Sequence, residues 1–370
     1  MTGSNAPSPS SRTLVGFTGG PRSSVASVLL KTQGIDVLAA FLDFAGSPWD
    51  THCRGENRER AEARAKTLDI PLVVVPVAPI FEALVADAAL HDVLAGRIPQ
   101  TCLNCHSRVV LPVLQRIADE QGIARIATGH RGSLEEGDLR RTGGEASQAD
   151  WLAFLPRALL GRLQLPLSSF TPEQVRKLAQ EIRADDDPGN RARVGGHCAL
   201  ARGAWMEWTR ARTPEELCRP GPIRWRGSLP LGDHLGVFEN PVGSEIRLDP
   251  SRLRDARVPT DEKLLVAGID EATATLQVLL ASETARSEVE IENLNWIDPI
   301  PARGAPFVEV EAHIAGRTAE SSAPAVRGTL FIHLERQARL VLSRPMAGLL
   351  RGAPLVFCSG DRVLATGWVA

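Results

Sequence analysis

Two features of this 370-residue chain have residue types and spacing suited to chemistry: a set of cysteines and a glycine-rich loop. Cys102 and Cys105 form a C-x-x-C pair, and Cys198 follows much later in the chain. In a chain with no secretory signal, such cysteines more often serve metal, redox or covalent chemistry than a structural disulfide framework. The same trio could hold an iron–sulfur cluster, or zinc with His106 or His197. Buried thiols with no reactive role are a third possibility, since cysteine is a favoured core residue. The string Cys102-Leu103-Asn104-Cys105-His106 also satisfies the C-x-x-C-H haem-attachment pattern, which the lack of an export signal disfavours. Cys53 reads as a loop thiol, and Cys218 and Cys358 as structural.

The glycine loop, Gly16-Phe17-Thr18-Gly19-Gly20-Pro21-Arg22-Ser23-Ser24, lies between the apolar run LVGF (14–17) and the helically spaced residues Ser23 to Leu30. Glycines there let an anion approach backbone N–H groups, serines can cap the helix, and the helix dipole adds partial positive charge. The loop could therefore cradle phosphate, although a plain tight turn has the same composition. It is not a Walker loop, because no Gly-Lys-Ser/Thr follows.

The elements that must position these residues fall into three blocks. From Thr13 to about Gly203, short apolar runs (14–17, 37–44, 71–77, 124–130) alternate with helical stretches (23–30, 58–68, 111–121). That alternation implies a doubly wound parallel sheet, the α/β class, with ligands at the carboxyl ends of the strands. Frequent Pro and Gly between 214 and 243 suggest a small irregular middle domain. From about Ser287, strand-length runs separated by turns read as a closed or sandwiched antiparallel β domain. The expected division is a tail over 1–12, a nucleotide-binding domain over 13–203 whose 160–190 stretch could pack on the middle domain, a middle domain over 204–286 and a β-barrel over 287–370.

Hydrophobic residues at 43% supply a core and exclude a wholly disordered or collagen-like chain. No apolar run approaches the length of a membrane span, and MTGSNAPSPSSR has no apolar signal core, so the expected location is the cytoplasm. Lys and Arg number 42 against 44 acids, a net charge of -2, so any RNA binding must come from a local patch. One stretch interleaves cations with indoles: Arg202, Trp205, Trp208, Arg210, Arg212, Arg219, Arg224, Trp225 and Arg226. Such groups can stack on unpaired bases. Core packing of Trp205 and Trp208 on one helix face is the preferred reading, since Glu207, Glu215 and Glu216 dilute the charge.

The glycine loop resembles the S-G-G-x-D-S-S loop of the ATP-pyrophosphatase (PP-loop) superfamily. Further motifs resemble one family within it, the tRNA-specific 2-thiouridylases. Gly96-Arg97-Ile98-Pro99-Gln100-Thr101-Cys102-Leu103-Asn104-Cys105 is similar to that family's G-R-T-P-N-P-x-x-x-C, and Ala127-Thr128-Gly129-His130 to its A-T-G-H. Leu165-Pro166-Leu167 with Thr171 to Ala179, Gly232 to Gly236, Asn295-Trp296-Ile297 and Val356 to Asp361 continue the likeness in order. The resemblance implies ATP with Mg2+ held by Gly16, Phe17, Thr18, Gly19, Gly20, Pro21, Arg22, Ser23, Leu42 and Gly129. It implies catalytic cysteines at Cys105 and Cys198, the latter carrying the persulfide, with Cys102 beside them. It also implies tRNA as partner, contacted by Gln100, Thr101, Cys102, His130 and Asp150, and a sulfur donor such as a cysteine desulfurase or a sulfur relay protein.

Departures from the family pattern are as telling. Arg22 stands where the family has Asp, a swing of two charges at a phosphate site. Only Asp150 survives of the K-D-Q-S tRNA-contacting stretch, and Gly243 to Arg247, His313 to Gly316 and Gly352-Ala353 have drifted from their motifs. Two functions follow: an ATP-dependent tRNA uridine 2-sulfurtransferase working through a cysteine persulfide, or a degenerate paralogue that does not adenylate and serves as a sulfur carrier, iron–sulfur-binding or regulatory protein.

Overall fold

The computed structural model describes residues 12–44, 58–135, 137–141, 148–184, 204–298, 306–315 and 324–370. The chain divides into two compact units, one of 1–84, 102–199 and 361–363, the other of 85–101, 200–360 and 364–370.

The first unit is built on a parallel sheet of β1 (Arg12–Gly16), β2 (Asp36–Asp43), β3 (Leu72–Pro76), β4 (Arg125–Ala127) and β5 (Leu163–Gln164), in spatial order β3-β2-β1-β4-β5. Val37 to Phe41 are all buried, as a central strand covered on both faces requires. Helices α1 (Pro21–Thr32) and α2 (Arg58–Thr67) contribute Leu30, Ala61 and Ala65 to a core shared with Val15, Phe17 and Phe41. A helical run from Thr101 to Glu120 precedes β4; its middle turn, Cys105–Val110, is of π type, and its last part, α3 (Leu111–Glu120), buries Leu111, Leu114 and Ile117. Helix α4 (Pro172–Glu181) begins in a capping box, Thr171 Oγ1 accepting from the Gln174 amide and Gln174 Oε1 from the Thr171 amide. Its Val175 and Ala179 pack on Val25 and Ala26 of α1.

The strand order fixes where a ligand can sit. From β1 the chain moves outward to β2 and β3, then returns to place β4 on the opposite side of β1. This reversal opens a crevice beyond the carboxyl ends of β1 and β4.

In the second unit, the Pro- and Gly-rich stretch expected to be irregular instead contributes strands to a sheet. Strands β6 (Gly221–Trp225), β7 (Leu229–His234), β8 (Glu245–Ile246), β9 (Leu264–Asp270) and β10 (Thr275–Leu280) order as β8-β9-β10-β6-β7. Register shifts in β6–β7 and β9–β10 absorb the prolines and glycines. Beyond it, β11 (Arg286–Trp296), β12 (Phe307–Ile314), β13 (Val326–Leu334), β14 (Gln337–Met346), β15 (Pro354–Ser359) and β16 (Arg362–Val369) run in the order β11-β14-β13-β12-β15-β16. Pairing of β16 with β11 closes the six strands into an antiparallel barrel around Leu330, Leu340, Leu355 and Phe357. Among the described residues, no helix is long and apolar enough to cross a membrane.

Glu283 ties the end of β6 to the end of β10 in the middle sheet. Its carboxylate accepts from Trp225 Nε1 and the Leu280 amide, both at 2.8 Å, and pairs with Arg226, which itself stacks over Trp225 at 4.3 Å. Trp208 is buried and carries Arg212 at 4.3 Å from its ring. Trp208 thus packs as a core residue, and Trp225 is engaged by intramolecular partners. Burial opposes ionisation of Glu283, but the Leu280 amide, the Trp225 indole and Arg226 outweigh it and hold the carboxyl below its ordinary 4.5. A carboxyl depressed by folding contributes stability above its unfolded pKa, and that contribution is lost as pH falls through the folded value. Glu283→Gln should therefore lower the urea midpoint at neutral pH by an amount corresponding to about 1–2 kcal/mol. The gap between variant and parent should narrow in titrations below about pH 4.5; a gap independent of pH would show that the charge contributes nothing.

Candidate functional site

The residues around the crevice are positioned by the ends of β1 and β4 and by the first turn of α1. After β1, the Phe17 amide bonds to Ala40 O of β2 at 2.8 Å, and the chain turns through Gly19 in the left-handed region at φ 67°. Only glycine suits that turn: a Cβ at Gly19 would lie 2.8 Å from Ala61 Cα of α2. The loop braces itself, since the Thr18 amide donates to Ser23 Oγ at 3.2 Å, the Gly20 amide to Thr18 Oγ1 at 3.4 Å, and Ser23 Oγ to Gly20 O at 3.2 Å. Gly20 is the N-cap of α1 and brings no side-chain cap, so the positive end of a 12-residue helix faces out of the loop without a capping oxygen from Gly20. Ser24 is fully buried, and its hydroxyl has no hydrogen-bond partner among the described residues.

From the β4 side, Gly129 closes on the same turn. A Cβ there would lie 2.9 Å from the Arg22 carbonyl carbon and 3.0 Å from the Ser23 nitrogen, so the glycine is what lets the two backbones approach. Leu42, near the carboxyl end of β2, is half-buried. Arg22 is exposed, and its Nη1 donates to Gln148 Oε1 at 2.7 Å. Gln148 is itself fixed: Oε1 accepts from the Arg131 amide at 3.0 Å, and its own amide donates to Arg131 O at 2.7 Å.

A second cluster adjoins Gly129. His130 Nδ1 lies 2.8 Å from Thr128 Oγ1, and His130 Nε2 lies 3.1 Å from Nδ1 of the buried His106. The two rings meet edge to face, and Trp151 packs on His106 at 4.9 Å between centroids. His106 follows Cys105 directly, so the π-type turn brings the half-buried Cys105 segment beside the Thr128 to His130 segment. Cys102, also half-buried, lies in the preceding turn. Asp150 is buried and pairs with Arg141 at 3.5 Å.

Other sequence-derived candidates fall elsewhere. Cys53, His197 and Cys198 lie outside the described residues. The Gly96 to Thr101 segment belongs to the second unit, where Ile98 donates its amide to Arg351 O at 3.0 Å and a Cβ at Gly352 would lie 2.9 Å from the Ile98 nitrogen. Gln100 and Thr101 are half-buried at the end of that segment. Among the described residues no three His, Cys, Asp or Glu side chains are grouped to hold a metal ion. Gln148 carried no signal in the sequence, being one amide in a polar loop, and Trp151 none beyond its place in an altered motif.

The arrangement suits an anion. A left-handed glycine, a helix N-terminus without a side-chain cap and an arginine stand where the strand order reverses, as a nucleotide's phosphates would require. Magnesium fits less well: from Phe17 to Ser24 no residue is acidic, and the one charge is that of Arg22.

Sheet order and loop define a nucleotide-binding domain of the PP-loop type, and residues 11–187 match the family model described as the tRNA methyl transferase HUP domain. The chain is similar to the tRNA-specific 2-thiouridylase MnmA of Geobacter metallireducens, at 26% identity with 97% of this chain and 96% of the relative covered. The protein of the same name from Sorangium cellulosum is 28% identical, covering 98% and 92%. Among solved structures, the predicted subunit of tRNA methyltransferase from Methanocaldococcus jannaschii is 22% identical, covers 46% of this chain and 74% of its own, and has a TM-score of 0.31. The chain is thus similar to tRNA-specific 2-thiouridylases over nearly its whole length.

Proposed function

We propose that the protein is a tRNA uridine 2-sulfurtransferase that uses ATP and a cysteine persulfide. The observation that carries this reading is Gly129 of the A-T-G-H segment seated against the first turn of α1, with His130 of the same segment bonded to the residue that follows Cys105. The nearly full-length likeness to proteins named as tRNA-specific 2-thiouridylases supports the same substrate.

In this reading the nucleotide lies along Gly16 to Ser23, Leu42 and Gly129, and it supplies activation of a uridine C2 oxygen as an adenylate. The outer sulfur of a Cys198 persulfide attacks C2, the C2–O bond breaks and AMP leaves. The Cys105 thiolate then attacks the inner sulfur of Cys198, which forms a Cys105–Cys198 disulfide and frees the thiouridine. A cellular thiol reduces that disulfide, and a cysteine desulfurase or sulfur relay protein reloads Cys198. Cys102 stands in the turn before Cys105, and Gln100, Thr101, His130 and Asp150 contact the RNA.

The test is turnover of the full-length protein with ATP and unmodified tRNA. AMP and pyrophosphate should appear only when tRNA is present, as read by chromatography. Release of ADP and phosphate, or no turnover with any tRNA, would contradict the reading.

A further inference from the structure

We infer that His106 is a positioning residue for Cys105: its imidazole, seated between His130 and Trp151, holds the π-type turn that begins at Cys105 against the segment bearing Gly129. The inference rests on the reading of Cys105 as the resolving thiol and adds to it the side chain that fixes where that thiol stands.

The helical run itself shows why an anchor matters. Leu103, Asn104, His106 and Val109 are buried, whereas Cys102 and Cys105, three positions apart, are half-buried. From Cys105 to Val110 the turn is of π type, a form rare in proteins and found mostly as single turns at functional sites. Cys, His, Ser and Val are weak helix formers, so local preference does little to hold the register of this turn. What the turn packs on must hold it.

His106 supplies that contact on two sides. Its Nδ1 shares a hydrogen bond with His130 Nε2 at 3.1 Å, and His130 Nδ1 lies in turn 2.8 Å from Oγ1 of the buried Thr128. The His130 ring meets His106 at 4.8 Å between centroids and 76° between planes, and Trp151 lies at 4.9 Å and 44°. A ring bonded through one nitrogen and packed between two others has one orientation, and the peptide that joins it to Cys105 carries that restraint to the thiol-bearing residue. His130 follows Gly129, whose close approach to Arg22 and Ser23 ties the same segment to the first turn of α1. The contacts therefore run without a break, inside the first unit, from the glycine loop to the thiol turn.

The test is a single turnover of full-length protein with ATP, unmodified tRNA and sulfur supplied by a cysteine desulfurase, comparing the parent with His106→Leu and His106→Asn. Leucine fills space without a polar atom, whereas asparagine keeps one close to the place of Nδ1. His106→Leu should release AMP within about twofold of the parent rate and form 2-thiouridine about tenfold or more slowly, the loss that a slightly misplaced group brings. His106→Asn should recover the 2-thiouridine rate to within about threefold. With neither ATP nor tRNA present, Cys105 of His106→Leu should react with iodoacetamide about fivefold faster than in the parent, as the turn opens locally, while Cys218 of the second unit reacts at the parent rate. Mass spectrometry of the peptides reads both. Each variant's melting curve is compared with the parent's; if His106→Leu unfolds, Trp151→Leu takes its place, since it removes the packing on His106 from the other side and should shift the same rates in the same direction. Parent-like rates in His106→Leu, an equal loss of AMP and 2-thiouridine, or no recovery with His106→Asn would overturn the role of His106 and leave Cys105 as the resolving thiol. A parent that forms no 2-thiouridine would overturn that reading of Cys105 and the inference together.

Discussion

Replacing Gly129 by valine should weaken ATP binding by about a hundredfold while the barrel remains folded. A single methyl group would already sit 2.9 Å from the Arg22 carbonyl carbon, and that neighbour is backbone in the first turn of a helix, which cannot rotate away as a side chain can. Either α1 shifts outward or the segment after β4 does, and in both cases the loop amides and the Arg22 guanidinium lose their common focus. Overpacking of this kind costs about 1–3 kcal/mol, so alanine should weaken binding by roughly tenfold and valine by about a hundredfold. Isothermal calorimetry reads the affinity, and near-UV circular dichroism reports whether the second unit is intact. Unchanged affinity in Gly129→Val would mean that the loop is no more than a turn between β1 and α1.

The thiols give the other large effect. Cys105→Ser should eliminate thiolated tRNA and leave tRNA-dependent release of AMP unaffected in the first turnover, because the hydroxyl is a poor nucleophile toward sulfur and cannot form the disulfide. Cys198→Ser should eliminate both the product and the persulfide that forms when a cysteine desulfurase supplies sulfur, as read by mass spectrometry of the intact protein. A Cys105→Ser variant that still thiolates tRNA over many turnovers would show that the thiol beside His106 is not the resolving group.

Those expectations draw on a sequence that was legible in some places and opaque in others, for physical reasons. The parallel strands could be read because burial on both faces demands unbroken apolar runs, as in Val37 to Phe41. The barrel could be read because each strand keeps one face in the core, which leaves alternation such as that of Phe307 to Ile314, with Val310 and Ala312 buried. The helical run from Thr101 to Val110 escaped notice. Thr, Cys, Asn, His, Ser and Val are weak helix formers, and a π-type turn breaks the usual spacing of apolar residues, so the segment bearing Cys102 and Cys105 carries no 3.6-residue rhythm. The middle sheet was obscured by its own prolines and glycines, which its short strands absorb through register shifts.

The site divides in the same way. Gly19 and Gly129 announce themselves because a side chain at either would collide with neighbouring backbone, and Arg22 stands out by its charge. The clamp on Arg22 could not be anticipated, since Gln148 reaches it across 126 positions of chain from a loop without pattern. His106 was visible only as a neighbour of Cys105, and its bond to His130 is a property of the fold.

The most direct measurement is transfer of labelled sulfur. Purified protein is supplied with ATP, a cysteine desulfurase, radiolabelled cysteine and tRNA lacking thiolation, and the tRNA is digested to nucleosides. The label should appear in 2-thiouridine derivatives, should require ATP, and should be absent with Cys105→Ser and Cys198→Ser. Label that stays on the protein with no thiolated nucleoside, whatever the ATP and tRNA supplied, would contradict sulfur transfer to tRNA.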